Sequence, residues 1–182
     1  MGSDKAFLQL GDKTFIQRAC ELAESVADSF AIVGTPEKLS SFGPVIPDIH
    51  PNRGPLGGLY SALSASQTDL NLILAVDLPL LTRDFLLSFR TLADSEPVMA
   101  VVPRVGNRLQ PLCAFYPRHG ATEAERLLAS GLNKLEAFFE KIPFRVLEED
   151  EILRLGGSPE MFLNVNSPED YERAKRILEQ RP

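Results

Sequence analysis

The residues that decide the fold lie in one stretch, Asp69-Leu-Asn-Leu-Ile-Leu-Ala-Val-Asp-Leu-Pro-Leu-Leu-Thr82. A nearly continuous apolar run from Leu70 to Val76 ends at Asp77 and then at Pro79. An apolar run of this length between turn-forming residues is typical of a strand that is buried on both faces of a parallel sheet. Asp77 is therefore predicted to lie at the carboxyl end of a strand, the edge of an open α/β sheet at which ligands bind.

Asp77 has two interpretations at that position. A carboxylate there is a natural ligand for Mg²⁺, which is usually bound by one or two carboxylates together with substrate phosphates. The alternative is an aspartate that stabilises the turn before Pro79. The stretch alone favours neither interpretation, so the choice depends on the rest of the chain.

Helix and strand signals alternate along the whole chain. Thr14 is predicted to cap a helix with apolar residues at helical spacing, and Ser167 is predicted to cap a final helix with Pro168 at its first position. Further strands are predicted at residues 29–33, 44–46, 97–102, 111–116 and 144–147, and further helices after Pro55 and Thr82 and at residues 122–130 and 134–141. Because no repeat or linker interrupts this alternation, the sequence predicts one α/β domain over residues 1–182.

Composition and charge restrict the class of partner. The 182 residues are 44% hydrophobic and 24% charged, as in ordinary globular domains. The net charge of -6, without a basic block, argues against long nucleic acids and anionic membranes as partners. Cys20 and Cys113 are not spaced as metal ligands, and so few cysteines favour a reduced, cytoplasmic location. No apolar stretch is long enough to span a bilayer.

Four predicted loops carry residues capable of binding or catalysis. They are Gly2-Ser-Asp-Lys5, Asp48 with Gly54-Pro-Leu-Gly-Gly58, Asp77-Leu-Pro79, and Asn164-Val-Asn166. Together with Gln110-Pro-Leu112, and in this order, they resemble the motifs of the molybdenum cofactor guanylyltransferase family. Each motif alone is weak, but the ordered set is specific and spans nearly the whole chain. The resemblance implies a three-layer α/β fold with an open, mostly parallel sheet, the Rossmann-like nucleotidyltransferase (glycosyltransferase-A-like) fold.

The resemblance also implies a reaction, in which GMP is transferred from GTP to molybdopterin with Mg²⁺ and pyrophosphate is released. It implies catalytic roles for Lys5 and Asp77, with Asp77 also the metal ligand. The implied nucleotide-binding residues are Lys5, Gly34, Asp48, Gly57, Gly58 and Asp77, and the implied molybdopterin-side residues are Arg108, Gln110, Asn164 and Asn166. Molybdoenzyme chaperones are the implied protein partners.

Each of these residues also has a purely structural interpretation. Without the flanking Gly2 and Asp4, Lys5 is better interpreted as a solvated surface lysine, and Asp48 can stabilise the turn beside Pro47. Glycine and proline punctuate most loops, so Gly54 to Gly58 can be an ordinary turn. Asn164 and Asn166 can cap the following helix, and an asparagine brings no charge to a metal.

The chain departs from the family pattern at its start. Met1-Gly-Ser-Asp-Lys-Ala6 matches only the second half of the family's opening signature, Leu-Ala-Gly-Gly-x-Ser-x-Arg-Met-Gly-x-Asp-Lys. The resemblance therefore implies that roughly 15–20 residues, a strand and its Gly-Gly loop, are missing. Because this strand is central in the family, its loss is expected to leave unpaired backbone groups, each costing about 1–3 kcal/mol.

Three other functions remain open from the sequence. One is the same reaction with CTP, since Gly34 stands where the guanylyl branch often has asparagine. Another is nucleotidyl transfer to a different small molecule such as a sugar phosphate. The third is a non-catalytic nucleotide-binding remnant that keeps the fold without the triphosphate loop.

Overall fold

The strand predicted between Asp69 and Thr82 is present from Leu70 to Leu74, as the fifth strand of an α/β fold. The structure, a computed structural model, describes residues 5–180. Residues 1–4, which carry the first part of the Gly2-Ser-Asp-Lys5 loop, lie outside the described residues.

The helices and strands alternate as predicted. The strands are β1 (Gln9–Leu10), β2 (Lys13–Thr14), β3 (Ile32–Val33), β4 (Val45–Ile46), β5 (Leu70–Leu74), β6 (Ala100–Val105), β7 (Arg108–Leu109), β8 (Cys113–Pro117) and β9 (Phe144–Leu147). The helices are α1 (Phe15–Val26), α2 (Pro36–Leu39), α3 (Gly54–Ala65), α4 (Arg83–Asp94), α5 (Gly120–Ala129), α6 (Leu135–Phe139), α7 (Glu149–Arg154) and α8 (Pro168–Glu179). Short 3-10 helices lie at Lys5–Phe7 and Pro159–Phe162.

Capping residues explain where the first and last long helices begin. The Thr14 hydroxyl accepts from the Gln17 N–H, and the Gln17 side chain accepts from the Thr14 N–H, which completes a capping box at α1. Ser167 and Asp170 form the same arrangement at α8, with Pro168 in the first turn. Thr82 precedes α4 as predicted, but its side chain makes no capping hydrogen bond to that helix.

The main sheet is open and mixed. Strand β8 pairs antiparallel with both β5 and β6, and β9 pairs parallel with β6, while β7 extends from the end of β6 as a hairpin. Strands β5, β6 and β9 therefore run in the same direction, with β8 opposed to them. The prediction of an open α/β sheet is confirmed, and within residues 5–180 this sheet is mixed, with β9 parallel to β6 and β8 antiparallel to both of its neighbours.

The surroundings of β5 differ from the sequence prediction. Its neighbour β8 is antiparallel, and all five of its residues are half-buried, not fully buried on both faces. The other edge of β5 has no strand partner within residues 5–180, and β3 pairs with β4 in a separate two-stranded parallel sheet. An apolar run reveals that a segment is a strand, but the direction of its neighbours depends on distant parts of the chain.

The sheet separates two hydrophobic layers, which makes the fold three layers deep. On one face, α4 packs through Phe85 and Phe89 against Phe115 of β8. On the other face, α3, α5 and α6 pack against Ala114 and Tyr116 of the same strand. The alternation of side chains along β8 thus supplies both cores.

A third, smaller cluster joins the two ends of the chain to the loop after β5. It contains Leu10, Phe15, Leu80, Val165 and Ala174, all of which are inaccessible to solvent. This third cluster fixes the start of the described chain, the Asp77 loop and α8 against one another. Within residues 5–180, no helix combines the length and apolar character required to cross a bilayer.

Candidate nucleotide site

The loop after β5 lies beside the turn that precedes β8. The Ala75 N–H donates to the Leu112 carbonyl oxygen at 2.7 Å, and the Gln110 N–H donates to the Pro103 carbonyl oxygen at 2.8 Å. These bonds place the Gln110-Pro-Leu112 segment and the end of β6 at the same edge of the sheet as Asp77. The edge predicted from the sequence therefore exists, at the carboxyl ends of β5 and β6.

Lys5 and Asn166 meet at this edge, although they are far apart in sequence. The Lys5 ammonium donates to Asn166 Oδ1 at 2.6 Å. Because this bond uses the amide oxygen of Asn166, the amide NH₂ group is the part of that side chain left to donate to a ligand. Asn166 therefore suits a substrate oxygen better than a metal ion.

The Asp77 carboxyl is influenced by the same lysine. Burial raises its pKa above the ordinary value of 3.8, and this rise is opposed by a hydrogen bond from its own backbone N–H and by the nearby Lys5 ammonium. Because the pKa remains raised, the protein solvates the carboxylate less well than water does. Cationic ligands would relieve that deficit.

The Asn164-Val-Asn166 segment is attached directly to the Asp77 loop. The Val165 N–H donates to the Asp77 carbonyl oxygen at 3.0 Å, and the Val165 side chain is fully buried in the third cluster. Asn164 and Asn166 on either side of it are exposed. The alternation of polar and apolar residues in this segment thus anchors it through valine and presents both asparagines to solvent.

Asp48 is held at the start of α3. Its Oδ1 atom accepts from the His50 N–H at 3.1 Å and from the Ser61 hydroxyl at 3.1 Å, and Ser61 is completely buried. The turn-stabilising interpretation of Asp48 therefore describes its contacts in this structure. A contact between Asp48 and a nucleotide would therefore involve the other carboxylate oxygen, Oδ2.

The glycines around this segment differ in what a side chain would meet. A Cβ at Gly57 would lie 3.1 Å from the His50 carbonyl oxygen, so Gly57 permits the 48–53 loop to pack on α3. A Cβ at Gly58 would meet nothing within 4 Å. A Cβ at Gly34 would lie 2.6 Å from Leu39 Cδ1, so a side chain at that position requires Leu39 to move.

The residues predicted on the molybdopterin side, Arg108 and Gln110, differ in their contacts from two other arginines of the chain. Arg108 is exposed in the hairpin between β6 and β8, and Gln110 is half-buried beside it. In contrast, Arg104 is paired with Glu148 through both Nε, at 3.0 Å, and Nη2. Arg53 donates to the Leu128 carbonyl oxygen at the end of α5. The latter two arginines have structural partners and are weaker candidates for phosphate binding.

A metal ion at this edge would depend mainly on Asp77. Among residues 5–180, no group of three or more histidine, cysteine, aspartate or glutamate side chains is arranged to hold a metal. Mg²⁺ does not require such a group, because it is commonly held by one or two carboxylates, water and the substrate phosphates. The poorly solvated Asp77 carboxylate fits that role.

The sequence analysis did not identify Asp170 as a residue of this edge. Asp170 lies in the first turn of α8, where an acidic side chain favours the positive end of the helix, and its Oδ2 atom also accepts from the Asn166 N–H at 3.1 Å. The Ser-x-x-Asp spacing from Ser167 signals the helix cap. The additional bond to Asn166 depends on how the preceding loop folds, and the spacing does not show it.

Comparison with known proteins agrees with the geometry. The sequence profile of the MobA-like NTP transferase domain matches residues 1–146. A relative from Clostridium perfringens named probable molybdenum cofactor guanylyltransferase is 31% identical over 172 residues, which cover 93% of this chain and 86% of the relative. A molybdenum cofactor guanylyltransferase from Syntrophotalea carbinolica is 29% identical over 97% of this chain and 85% of its own length.

A solved structure supports the fold independently. The crystal structure of molybdopterin-guanine dinucleotide biosynthesis protein A from Archaeoglobus fulgidus superposes with a TM-score of 0.85, at 24% identity, over 99% of this chain and 93% of the other. At that identity the likeness establishes the nucleotidyltransferase fold. Since the sequence profile covers most of the chain, this protein belongs to the family of MobA-like NTP transferase domains.

Proposed function

We propose that this protein transfers GMP from GTP to molybdopterin, forming the guanine dinucleotide cofactor and pyrophosphate. The proposal is supported by the names of its curated relatives and by the meeting of Lys5, Asp77 and Asn166 at the carboxyl edge of the sheet. In the reaction, an oxygen of the terminal phosphate of molybdopterin forms a bond to the α-phosphorus of GTP. The bond from that phosphorus to the β-phosphate oxygen breaks, and pyrophosphate leaves with the electron pair.

The chain's own residues position and neutralise the reacting phosphates. Lys5 carries a positive charge that can stabilise the negative charge developing on the leaving pyrophosphate. Asn166 holds the Lys5 ammonium in place through its amide oxygen. No protein nucleophile is needed, because phosphoryl and nucleotidyl transfer depend on alignment and electrostatics.

Membership of a nucleotidyltransferase family suggests a divalent metal requirement. We propose Mg²⁺ as the metal and Asp77 as its protein ligand. When bound, the ion would neutralise charge on the nucleotide phosphates. Gly34, Asp48, Gly57 and Gly58 are proposed for the nucleotide, and Arg108, Gln110 and Asn164 for molybdopterin.

Cytidylyl transfer to the same acceptor is the second candidate. Position 34 carries no side chain, and a Cβ there would lie only 2.6 Å from Leu39 Cδ1. A base-contacting side chain at this point, like the asparagine often found in the guanylyl branch, is therefore absent, and introducing one would require the Leu39 side chain to move. The preference of this protein for GTP or CTP is therefore decided by measuring binding and turnover with both nucleotides.

Thermal unfolding with each nucleotide and Mg²⁺ tests the proposed function. GTP at a concentration 100 times its Kd is expected to add about 2.7 kcal/mol to the free energy of unfolding. For a chain of this size, that gain corresponds to a rise in Tm of about 5–10 °C. A turnover assay with molybdopterin and the same nucleotides then identifies the product by mass. A larger shift and faster turnover with CTP would establish the cytidylyl alternative, and no shift with any nucleotide would favour the non-catalytic remnant.

We also propose that an additional strand, followed by a Gly-Gly loop, completes the sheet beside β5 in the natural protein. The support is the edge of β5, which has no strand partner within residues 5–180, and the separation of the β3–β4 sheet from the main sheet. A chain extended upstream is expected to unfold at a higher temperature and to turn over faster than the 182-residue chain. An active native enzyme whose intact mass corresponds to a start at Met1 would contradict this proposal.

A further inference from the structure

The start of α8 contacts both the Asp77 loop and Lys5 in the candidate site. Val165, two residues before the helix cap, donates its N–H to the Asp77 carbonyl oxygen at 3.0 Å. Asn166 accepts from the Lys5 ammonium at 2.6 Å. The Tyr171 hydroxyl, in the first turn, donates to the Gln9 carbonyl oxygen at 2.7 Å. The position of Lys5 relative to Asp77 therefore depends on how the residues before α8 are held.

One carboxylate oxygen holds those residues. Asp170 Oδ2 accepts from the Asn166 N–H at 3.1 Å, the Ser167 N–H at 2.9 Å and the Ser167 hydroxyl at 2.9 Å. An ordinary capping box requires only the bonds between Ser167 and Asp170. The bond to the Asn166 N–H goes beyond it and fixes the backbone of the residue whose side chain binds Lys5.

Two hydrogen bonds thus link Asp170 through Asn166 to Lys5. A charged acceptor makes stronger and more directional hydrogen bonds than a neutral one. Asn166 and Lys5 are otherwise free to rotate, because Asn166 is exposed and the Lys5 side chain is long. Without the Asp170 carboxylate, the Asn166 backbone loses this restraint and the amide oxygen has no fixed direction toward Lys5.

We propose that Asp170 is a positioning residue for nucleotidyl transfer, which holds Asn166 so that its amide oxygen directs the Lys5 ammonium to the leaving phosphates beside Asp77. The proposal rests on the proposed function for its catalytic consequence. The hydrogen-bonded chain itself is open to test without turnover.

The test compares Asp170→Ala with Asp170→Asn and Thr14→Ala. Asp170→Ala is expected to lower kcat/KM for the nucleotide about tenfold, the loss typical of a hydrogen bond to a charged group. Asp170→Asn keeps an acceptor oxygen and is expected to retain most of the activity. Thr14→Ala removes the capping box of α1, so it is expected to lower Tm about as much as Asp170→Ala does. Its kcat/KM is expected to equal that of the wild type.

Two further measurements separate positioning from simple stabilisation. Combined with Lys5→Ala, Asp170→Ala is expected to cause no additional loss of kcat/KM, because both changes remove the same interaction. The rate at which an amine-reactive reagent labels Lys5, followed by mass spectrometry of its peptide, is expected to rise in Asp170→Ala and Asn166→Ala but not in Thr14→Ala.

Failure of the Asp170 proposal can be distinguished from failure of the proposed function. If the wild type transfers no nucleotide, the function is wrong, and the labelling of Lys5 still tests the contact chain. Wild-type labelling and wild-type kinetics in a folded Asp170→Ala variant would overturn the proposal and leave Asp170 as a helix cap only. Fully additive losses with Lys5→Ala would overturn it as well. If Asp170→Ala does not fold, Asn166→Ala tests the link to Lys5, and wild-type labelling of Lys5 in that variant would overturn the proposal.

Discussion

Replacing Asp77 with asparagine is expected to reduce Mg²⁺-dependent turnover by about 1,000-fold, the upper range for removing one electrostatic contact to a transition state. The same substitution is expected to raise the Tm of the ligand-free protein at neutral pH. Burial disfavours the charged form of Asp77 despite the nearby Lys5, so the neutral amide of the same shape removes an unfavourable charge. Opposite changes in activity and stability are typical of residues retained for function.

The pH dependence of that stability gain follows from the direction of the pKa shift. A carboxyl with a raised pKa binds its proton more tightly in the folded than in the unfolded state. As pH rises from below 3.8 through the raised pKa, the unfolded state ionises first and the wild type loses stability relative to the variant. The difference in Tm between Asp77→Asn and the wild type should therefore be small in acid and reach its full value at neutral pH.

Asp69→Asn is the matched control, since Asp69 is exposed at the opposite end of β5. It should leave both turnover and the Tm at neutral pH at their wild-type values. Calorimetry across the pH range and initial rates at saturating Mg²⁺ give both quantities. Wild-type turnover in Asp77→Asn would remove Asp77 from the mechanism, and a Tm below that of the wild type at neutral pH would contradict the electrostatic account.

Replacing Lys5 with alanine is expected to lower kcat/KM for the nucleotide by about 100-fold or more, because one cationic contact to the phosphates is lost. The Tm should change little, since Lys5 is partly exposed and its bond to Asn166 lies at the surface. Lys5→Arg should recover only part of the rate, because a planar guanidinium does not reproduce the compact ammonium in the contact with Asn166. Steady-state kinetics with varied nucleotide measure these effects.

Lys13→Ala provides the comparison for a nearby lysine. Lys13 pairs with Glu21 at 2.7 Å on the surface, and such pairs contribute about 0–1 kcal/mol to stability. This variant should keep the wild-type kinetics. Equal losses in Lys5→Ala and Lys13→Ala would indicate a general effect of surface charge, and the specific role of Lys5 would then be wrong.

Local signals in the sequence predicted the elements well. The caps of α1 and α8 are set by residues three positions apart, so Thr14 and Ser167 could be recognised directly. Gly131 follows α5 with a φ of 87°, as expected for a glycine that ends a helix. Apolar periodicity likewise identified the strand at Phe144–Leu147 with its exact bounds.

The relations between distant segments could not be predicted from the same signals. The antiparallel direction of β8 beside β5 depends on the intervening chain, which an apolar run does not encode. The pairing of Arg104 with Glu148 joins β6 to the residue that caps α7, and the bond between Asp170 and the Asn166 N–H depends on a loop conformation. For the site, the structure brings together Lys5, the Asp77 loop and the Asn164–Asn166 segment, but the motifs did not indicate that Asn166 would use its oxygen on Lys5.

The contact between Lys5 and Asn166 spans 161 positions, and that between Gln9 and Tyr171 spans 162. Contacts of such large sequence separation form late in folding, because a long loop must close before they are made. During synthesis the residues that orient Lys5 leave the ribosome long after Lys5 and Asp77 themselves. In a nascent chain, Lys5 and Asp77 are therefore present before they are correctly arranged. We expect the protein to become active only when α8 has packed against the Asp77 loop.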